Sequence, residues 1–322
     1  MELPLLANAL DFIISAGDYA NRASSDPRTR AGSLKYAVLH LHAGSELLIK
    51  ERLRREHWAL LYDKPDEASR ASWKAGDFRS VGGESLQRRL EGIAGVALPD
   101  ETKKLLRSLR EQRNRLEHFA FIGSEEVVRA LVYEVSSFAL DFAHEHFEEE
   151  LGAEELQLLD EVKKVMFDNE EFVEARMNAL AEQLDRTVSQ GLPIITCPAC
   201  LQEALAFEPT ETKCLFCRSE WDSSIASAFE DWDSSFLRVD PKEKMDVYRV
   251  CPECEDECFI NIGAYEDNSY GRSPAWLCFS CGFHAREEEI DECMKCGQPF
   301  LEKEDMGTVC KRCFAYVISK DD

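Results

Sequence analysis

The chain has 322 residues, of which 44% are hydrophobic and 31% charged, a balance typical of globular proteins that excludes collagen-like and wholly disordered chains. Its formal net charge of −24 argues against non-specific binding of nucleic acid by the chain as a whole, because phosphates would be repelled. Asn8 and Asp11 interrupt the apolar run near the N-terminus, so we expect neither an export signal nor a membrane span. The expectation is a cytoplasmic protein of about two domains.

Charge is distributed unevenly along the chain. Residues 1–130 carry 21 basic and 19 acidic side chains, whereas residues 191–322 carry 13 basic and 27 acidic ones. The net charge therefore averages a nearly neutral N-terminal part and a strongly acidic C-terminal third.

The first 150 residues predict an all-helical bundle. Their apolar residues recur every three or four positions, the spacing of a helix with one buried face. An irregular connection is expected over Arg70 to Gly83. Helices are predicted over Leu3–Tyr19, Gly32–Leu61, Glu84–Ile93, Asp100–Phe119 and Ser124–His146.

An acidic helical connector is predicted over residues 151–191. Apolar residues continue at helical spacing through this segment until Pro193 ends the pattern. We expect one helix that packs on the first domain rather than a dimeric coiled coil, because Asn169 and Arg176 interrupt the heptad.

Twelve of the thirteen cysteines form Cys-x2-Cys pairs. In a long chain with an odd cysteine count, this spacing favours zinc binding in a reducing compartment over a disulfide framework. Two such pairs on tight turns complete the tetrahedral site of a zinc ribbon, which leaves no open position for catalysis. We therefore expect about three structural zinc ions, held by Cys197, Cys200, Cys214 and Cys217, by Cys251, Cys254, Cys278 and Cys281, and by Cys293, Cys296, Cys310 and Cys313.

The pairing of the last four Cys-x2-Cys pairs has two solutions. Sequential ribbons, which are simpler and which we prefer, join each pair to the next, whereas a cross-braced arrangement joins the pair at Cys251 to the pair at Cys293. Cys258 and His284 are possible substitute ligands, although a buried thiol and an exposed imidazole are their more common roles. Gly282 and Gly297 directly follow a cysteine pair and give such turns the backbone freedom that they need.

The surroundings of these cysteines are acidic rather than basic. Glu253, Glu255 and Glu287 are examples, and a nucleic-acid reader would show basic and aromatic residues instead. Recognition of a protein, or inhibition by imitating the charge of RNA, therefore fits this region better. Trp221, Trp232 and Trp276 are candidate interface anchors, although core filling is the more common role of such residues.

The domains expected from these patterns are the helical domain and a series of smaller segments. They are 1–150 for the helical domain, 151–191 for the connector, 192–222 for the first ribbon, 223–248 for a connecting segment, 249–290 for the second ribbon and 291–322 for the third.

The predicted fourth helix carries a row of basic residues. On a helix of about 3.6 residues per turn, Lys103, Arg107, Arg110, Asn114 and His118 fall on one narrow face. Such a row suits contact with the phosphates of RNA, so Lys103, Arg107 and Arg110 are the candidate RNA-binding residues.

The same helix carries a motif of arginine and histidine. Arg113 lies in the apolar stripe of the helix, is followed by Asn114, and precedes His118 with four residues between. With this motif the chain resembles the HEPN domains (higher eukaryote and prokaryote nucleotide-binding), whose signature is Arg, often a polar residue, and His near a helix end. The resemblance covers residues 1–150, and the second helix adds three polar residues on one side: His42, Glu46 and Lys50.

The resemblance implies a helical domain that dimerises so that two motifs meet and, in many members, metal-independent cleavage of RNA. His118 would exchange protons with the ribose 2′-OH or the leaving 5′-oxygen, and Arg113 would hold the scissile phosphate. Asn114 would orient either group. Arg113 and His118 lie about 140° apart on an ideal helix, so either the helix ends near His118 or groups from two protomers act together. Members of the family often act as toxins or in antiviral defence.

A non-catalytic adaptor remains the alternative interpretation. In that case the helical domain binds RNA or a nucleotide, or only dimerises, while the zinc region docks a protein. Arg113 would then be a structural arginine paired with Glu46, and His118 would cap the end of its helix.

Overall fold

The computed structural model describes residues 3–22, 26–119, 124–147, 151–221, 248–262, 272–301 and 308–318. They form two compact units that divide after Asn178. The first unit is helical, and the second contains small antiparallel sheets. In the ranges given, none of the helices combines the length and the apolar character that crossing a bilayer requires.

The helical part of the chain contains the predicted helices in the predicted order, together with further short elements. Short 3-10 helices, Trp58–Leu61 and Pro65–Glu67, follow the second helix. The helices are α1 (Leu5–Ala20), α2 (Pro27–Glu56), α3 (Arg70–Ala75), α4 (Gly83–Gly92), α5 (Asp100–His118), α6 (Glu125–Phe147), α7 (Ala153–Phe167) and α8 (Glu170–Ser189), the last of which continues into the second unit.

The close packing of α1 on α2 forms the centre of the helical core. Leu10 and Ile13 of α1 and Leu41 and Leu48 of α2 are almost completely buried. A Cβ at Gly44 would lie 2.7 Å from the Ile13 side chain and 3.0 Å from the Ala9 carbonyl oxygen. Only glycine therefore allows the two helices to approach this closely.

The largest difference from the predicted helices is at the start of α2. The helix was expected from Gly32, but it begins at Pro27, because the Asp26 carboxylate accepts hydrogen bonds from the backbone N–H groups of Arg28 and Thr29. It ends at Glu56 rather than Leu61, since His57 is extended and its ring accepts a hydrogen bond from the Ala59 N–H group.

The connection expected to be irregular contains the short helix α3. Ser69 caps its start by accepting a hydrogen bond from the Ser72 N–H group at 3.2 Å, and Gly76 ends it with a positive φ of 67°. The expectation of irregular structure was wrong for Arg70–Ala75, where these two caps allow a helix of six residues.

The acidic connector consists of two helices rather than one. α7 ends at Phe167, and Asn169 caps α8 by accepting a hydrogen bond from the Phe172 N–H group at 3.0 Å. The amide of Asn169 also donates to Asn21 at 2.6 Å. The asparagine that interrupts the heptad therefore ends one helix and begins the next, and α7 packs against α1 and α6 as the connector was expected to do.

A buried ion pair holds the first half of α8 on α6. The guanidinium of Arg176, whose side chain is 2% exposed, donates to both carboxylate oxygens of Asp141, at 2.7 and 3.2 Å, and to Ser137 at 2.9 Å. The bidentate pair with Asp141 balances the charge of Arg176 and explains why an arginine stands in an otherwise apolar pattern. The position packs against α6 and is not part of a coiled coil.

The described residues of the second unit form three small antiparallel sheets. β1 (Ile194–Thr196), β2 (Glu203–Ala206), β3 (Thr212–Cys214) and β4 (Glu220–Trp221) form the first, β5 (Phe259–Asn261), β6 (Trp276–Cys278) and β7 (His284–Ala285) the second, and β8 (Ile290–Glu292) and β9 (Pro299–Leu301) the third. A helix that we name α9, Lys311–Ile318, follows the third sheet.

Side chains connect the sheets of the second unit to one another. The buried carboxylate of Glu203 accepts hydrogen bonds from the backbone N–H groups of Arg272 and Ser273, at 3.1 and 3.0 Å, and from the Ser273 hydroxyl. The side-chain carbonyl of Gln298 accepts a hydrogen bond from the Val250 N–H group at 2.9 Å. The first sheet is thus joined to the second, and the second to the third.

Replacing Asp141 with asparagine should destabilise the helical unit by about 3 kcal/mol, because the buried Arg176 charge loses its bidentate counter-ion. The measurement is urea unfolding followed by helical circular dichroism. Asp160→Asn is the matched control, since it removes an exposed carboxylate 3.9 Å from Lys163 and should cost less than about 1 kcal/mol. Equal losses in the two variants would contradict a special role for the Arg176 pair.

Candidate functional site

Twelve cysteines of the second unit form three groups of four. They are Cys197, Cys200, Cys214 and Cys217, then Cys251, Cys254, Cys278 and Cys281, then Cys293, Cys296, Cys310 and Cys313. Within each group all sulfur atoms lie within 4.8 Å of one another. Each pair is therefore grouped with the next pair in sequence, the sequential arrangement, and not with the cross-braced partner.

The spacing of the sulfur atoms fits a tetrahedral ion. Sγ of Cys197 lies 3.8 Å from that of Cys217, and Sγ of Cys200 lies 3.7 Å from that of Cys214. The second group repeats these distances, and in the third group Cys296 and Cys310 are 3.8 Å apart. A zinc ion with Zn–S bonds of about 2.3 Å requires sulfur atoms about 3.8 Å apart. The three groups are thus compatible with structural zinc or a similar metal ion.

The turns that present the cysteines share one backbone conformation. The residue after the second cysteine has a positive φ in five of the six pairs and donates its N–H group to the carbonyl of the first cysteine, at 2.8 to 3.1 Å. Gly282 and Gly297 were expected at such positions, and both have this conformation. The other three residues, which the sequence analysis did not single out, are Leu201, Arg218 and Glu255.

The third group differs from the other two. Its second pair lies at the start of α9, where Phe314 donates its N–H group to the Cys310 carbonyl in a helical turn. Cys296 is exposed, and Cys310 and Cys313 are half-buried, whereas three of the four cysteines in the first group are buried. Burial raises the pKa of the Cys293 thiol, but backbone N–H groups of Cys310, Cys296 and Lys295 outweigh it and lower the pKa to about 6.

The residues considered as additional ligands or anchors lie outside the three groups. Cys258 packs beside the core of the second sheet, and the His284 ring lies 3.1 Å from the Gly282 carbonyl oxygen. Trp276 is 9% exposed, stacks on Phe259 and donates to Glu287, so it fills the core rather than anchoring an interface. Trp221 is half-buried, and Trp232 lies outside the described residues.

Arg113 is placed at the surface of α5 and not in its apolar stripe. The buried stripe consists of Leu106, Leu109 and Leu116, and the Arg113 side chain is 36% exposed beside it. Its guanidinium pairs with the Glu117 carboxylate at 3.0 Å and donates to the Asn114 side-chain oxygen at 3.0 Å. The expectation of a core arginine was wrong. Glu117 lies one turn later on the exposed side of the same helix and pairs with Arg113 there.

The other two members of the motif are exposed. Asn114 lies next to Arg113, and His118 is the last residue of α5. Phe119 follows in an extended conformation with 81% of its surface exposed. The helix thus ends at the histidine, which was one of the two arrangements considered for bringing the arginine and histidine to one substrate.

Two of the three basic residues expected along the α5 surface have acidic partners. Lys103 pairs with Glu91 at 2.6 Å, and Arg110 lies 3.9 Å from Glu84. Arg107 is exposed and makes no ion pair within the described part of the chain. The acidic partners therefore balance much of the positive charge of Lys103 and Arg110, and Arg107 is the most exposed of the three.

A groove between α2, α4 and α5 lies beside the motif and includes His42, Glu46 and Arg110. Gly83, at φ 55°, allows this approach, since a Cβ there would lie 2.5 Å from a guanidinium nitrogen of Arg110. Burial lowers the pKa of His42. The negative charges of Glu46 and Glu117 act against that shift, whereas the positive charges of Arg113 and Arg110 lower the pKa further. His42 is thus an electrostatic neighbour of the motif, a relation between two helices that spacing along one helix does not reveal.

Comparison of the chain with models of known protein families, with curated protein sequences and with solved structures finds no match in any of the three.

The wild-type chain should hold about three zinc ions and release one of them first, from the third group, because its ligands are the most exposed. The measurement is metal content by mass spectrometry, with release into a chelator followed by a colorimetric indicator. Cys313→Ser should lower the content by about one ion and abolish the fast phase. Cys258→Ser, a thiol outside the groups, should keep the full content, and release in a single phase would contradict the expected order.

Stability should fall as the pH falls from about 7 to about 5. The pKa of His42 is lowered by burial in the folded chain, so the unfolded chain takes up the proton first as the pH passes below its usual value of 6.5. Burial lowers the pKa of His40 and His146 in the same direction. The contribution of neutral His42 to stability is therefore fully present above pH 6.5. It is lost as the pH falls towards the lowered pKa that His42 has in the folded chain.

The test is the urea midpoint of wild type and His42→Gln across this range. The variant cannot bind that proton in either state, so its midpoint should depend less on pH. A pH dependence identical to that of the wild type would contradict the role assigned to His42.

Proposed function

We propose that the chain is a cytoplasmic, HEPN-type endoribonuclease that cleaves RNA without a catalytic metal ion and acts as a toxin or in antiviral defence. The observation that carries the proposal is the Arg113, Asn114 and His118 motif at the exposed end of α5, in a helical unit with charged residues on the facing helix. The four-cysteine groups support it indirectly, because they leave no open metal position for hydrolysis.

The side chains of the motif suit cleavage through the ribose 2′-OH. The 2′-oxygen attacks the adjacent phosphorus, the bond from phosphorus to the 5′-oxygen breaks, and the products carry a 2′,3′-cyclic phosphate and a 5′-hydroxyl. His118 removes the 2′-OH proton or supplies one to the leaving 5′-oxygen. Arg113 binds the phosphate through two N–H groups and stabilises the negative charge of the transition state.

Phosphate binding by Arg113 requires exchange of its present partner. Arg113 and Glu117 are both about one-third exposed, and ion pairs of this kind contribute only about 0 to 1 kcal/mol to stability. A phosphate accepts two charge-assisted hydrogen bonds from one guanidinium and is therefore able to replace Glu117. Asn114, which already accepts a hydrogen bond from Arg113, would keep the guanidinium oriented during the exchange.

A homodimer would bring two motifs to one RNA strand. Phe119 and Val127 flank the end of α5 and the start of α6, and they are 81% and 63% exposed. Apolar side chains beside a polar motif are typical of an interface. In this proposal the partner copy covers Phe119, and the paired motifs provide the phosphate-binding and proton-transfer groups together.

The second unit is proposed to bind a protein partner through its acidic surface. Glu253, Glu255 and Asp256 are exposed around the second group of cysteines, and Glu287 and Glu288 follow it. Thiolates bound to zinc add further negative charge to the four-cysteine groups. A basic protein surface is complementary to this charge, whereas RNA is repelled by it.

The adaptor interpretation is favoured by one specific observation, the pairing of Arg113 with Glu117. If this pair only stabilises α5, then the motif has no catalytic role, and the helical unit binds RNA or a second copy without cleaving it.

Cleavage of a mixed RNA pool should distinguish these interpretations. Wild-type protein in a buffer without magnesium should cleave, while Arg113→Ala and His118→Ala should each lose at least about 100-fold in rate, because proton transfer and phosphate stabilisation each contribute this much. Arg115→Ala, an exposed arginine of the same helix outside the motif, is the matched control and should cleave like wild type.

Three further measurements complete the experiment. Analysis of the product ends should find 2′,3′-cyclic phosphate, zinc content should be unchanged after the reaction, and the three variants should unfold at the wild-type temperature. No cleavage by wild type, or full cleavage by His118→Ala, would instead support the adaptor.

A further inference from the structure

A cavity of about 500 Å³ lies in the helical unit and is lined by residues other than Arg113, Asn114 and His118. Its walls come from the start of α1, the second half of α2, Leu61, α3, the loop after α3 and the start of α7. The volume falls within the range of about 300 to 1,000 Å³ typical of small-molecule sites.

Aromatic and aliphatic side chains form most of the wall. Leu47 and Leu61 contribute aliphatic surface, and Trp73 and Phe78 contribute rings whose centroids are 5.6 Å apart. Phe78 stacks on Tyr62, with centroids 4.2 Å apart and planes inclined by 16°, and this stack fixes the orientation of its ring. The wall therefore provides a preformed surface for a flat apolar group.

One polar group of the wall retains a hydrogen-bond donor. The ammonium of Lys50, whose side chain is 10% exposed, donates to Glu46 at 2.5 Å and to the Ser80 hydroxyl at 3.0 Å. An ammonium carries three N–H groups, and these two are the acceptors that the described residues provide. The third N–H group is available to an acceptor atom on a bound molecule.

The charges of the wall balance one another. Glu51, which is 2% exposed, accepts hydrogen bonds from Arg54 at 2.6 and 2.8 Å and from Arg55 at 3.1 Å. Glu46 neutralises Lys50, and the negative charge of Glu155 also interacts favourably with Arg54. A charged ligand would lose its hydration without gaining an uncommitted counter-ion, so the site favours an uncharged one.

We propose that this cavity binds a small, uncharged, largely apolar molecule that carries a flat ring and a hydrogen-bond acceptor, such as an aromatic ketone or amide. The ring lies against Trp73 and Phe78, and the acceptor receives the third N–H group of Lys50. Binding here is independent of the proposed cleavage of RNA.

The test uses Nile red, an uncharged planar dye with a carbonyl acceptor whose emission increases in apolar surroundings. Titration of the full-length, zinc-loaded protein should give saturable binding of one dye per chain. Leu47→Trp, which places a larger side chain in the cavity, should weaken the affinity at least about tenfold. Ile93→Trp, at a position that is 52% exposed and outside the cavity, should bind like wild type.

A second variant and a second dye keep the result decisive. Lys50→Met removes the donor and should weaken binding severalfold, with circular dichroism used to check that each variant is folded. The anionic dye 1-anilinonaphthalene-8-sulfonate should not displace Nile red. Absence of saturable binding, wild-type affinity in both Leu47→Trp and Lys50→Met, or displacement by the anionic dye would each overturn the proposal.

Discussion

The neutralisation of charge along α2 is the constraint on which the rest of the helical unit depends. This helix of 30 residues, about 45 Å long, is buried along much of its length and yet carries the buried charges of Lys50 and Glu51. A buried charge without a partner would cost several kcal/mol, so each is paired with a residue three or four positions away. Two basic residues of α5, Lys103 and Arg113, pair instead with carboxylates that are about one-third exposed, and exposed pairs of this kind contribute little to stability.

The second unit is organised on a different principle. Among the described residues its sheets have two to four short strands, too little for a large hydrophobic core, and each sheet is accompanied by one group of four cysteines. In such small modules metal binding supplies folding free energy directly. The surface residues then contribute less to folding, which is compatible with the high density of acidic residues in the C-terminal third of the chain.

Local signals in the sequence identified most of the structure, and contacts between distant segments account for what was missed. The Cys-x2-Cys pairs predicted the three groups because each turn is determined within five residues. The helix ends that differ most from the prediction are those at which a side chain caps the backbone, Asp26 and His57 at the two ends of α2 and Asn169 between α7 and α8. The alternative partner of Arg113, Glu46, was wrong, because Glu117 one turn later on α5 is nearer to it. The electrostatic effect of Arg113 on His42 depends on the packing of α2 against α5, which the pattern of a single helix does not give. The cavity was invisible to sequence reasoning, since six separate segments build it.

The buried carboxylate of Glu203 has a consequence for recognition by the second unit. By accepting three hydrogen bonds from Arg272 and Ser273, it links residues about 70 positions apart in the chain and so connects the first sheet to the segment that leads into the second. A molecule that contacts both modules would meet charges already at a set separation. Binding would not carry the entropy cost of ordering the two modules. The partner would be selected by the distance between its own charges as well as by their sign.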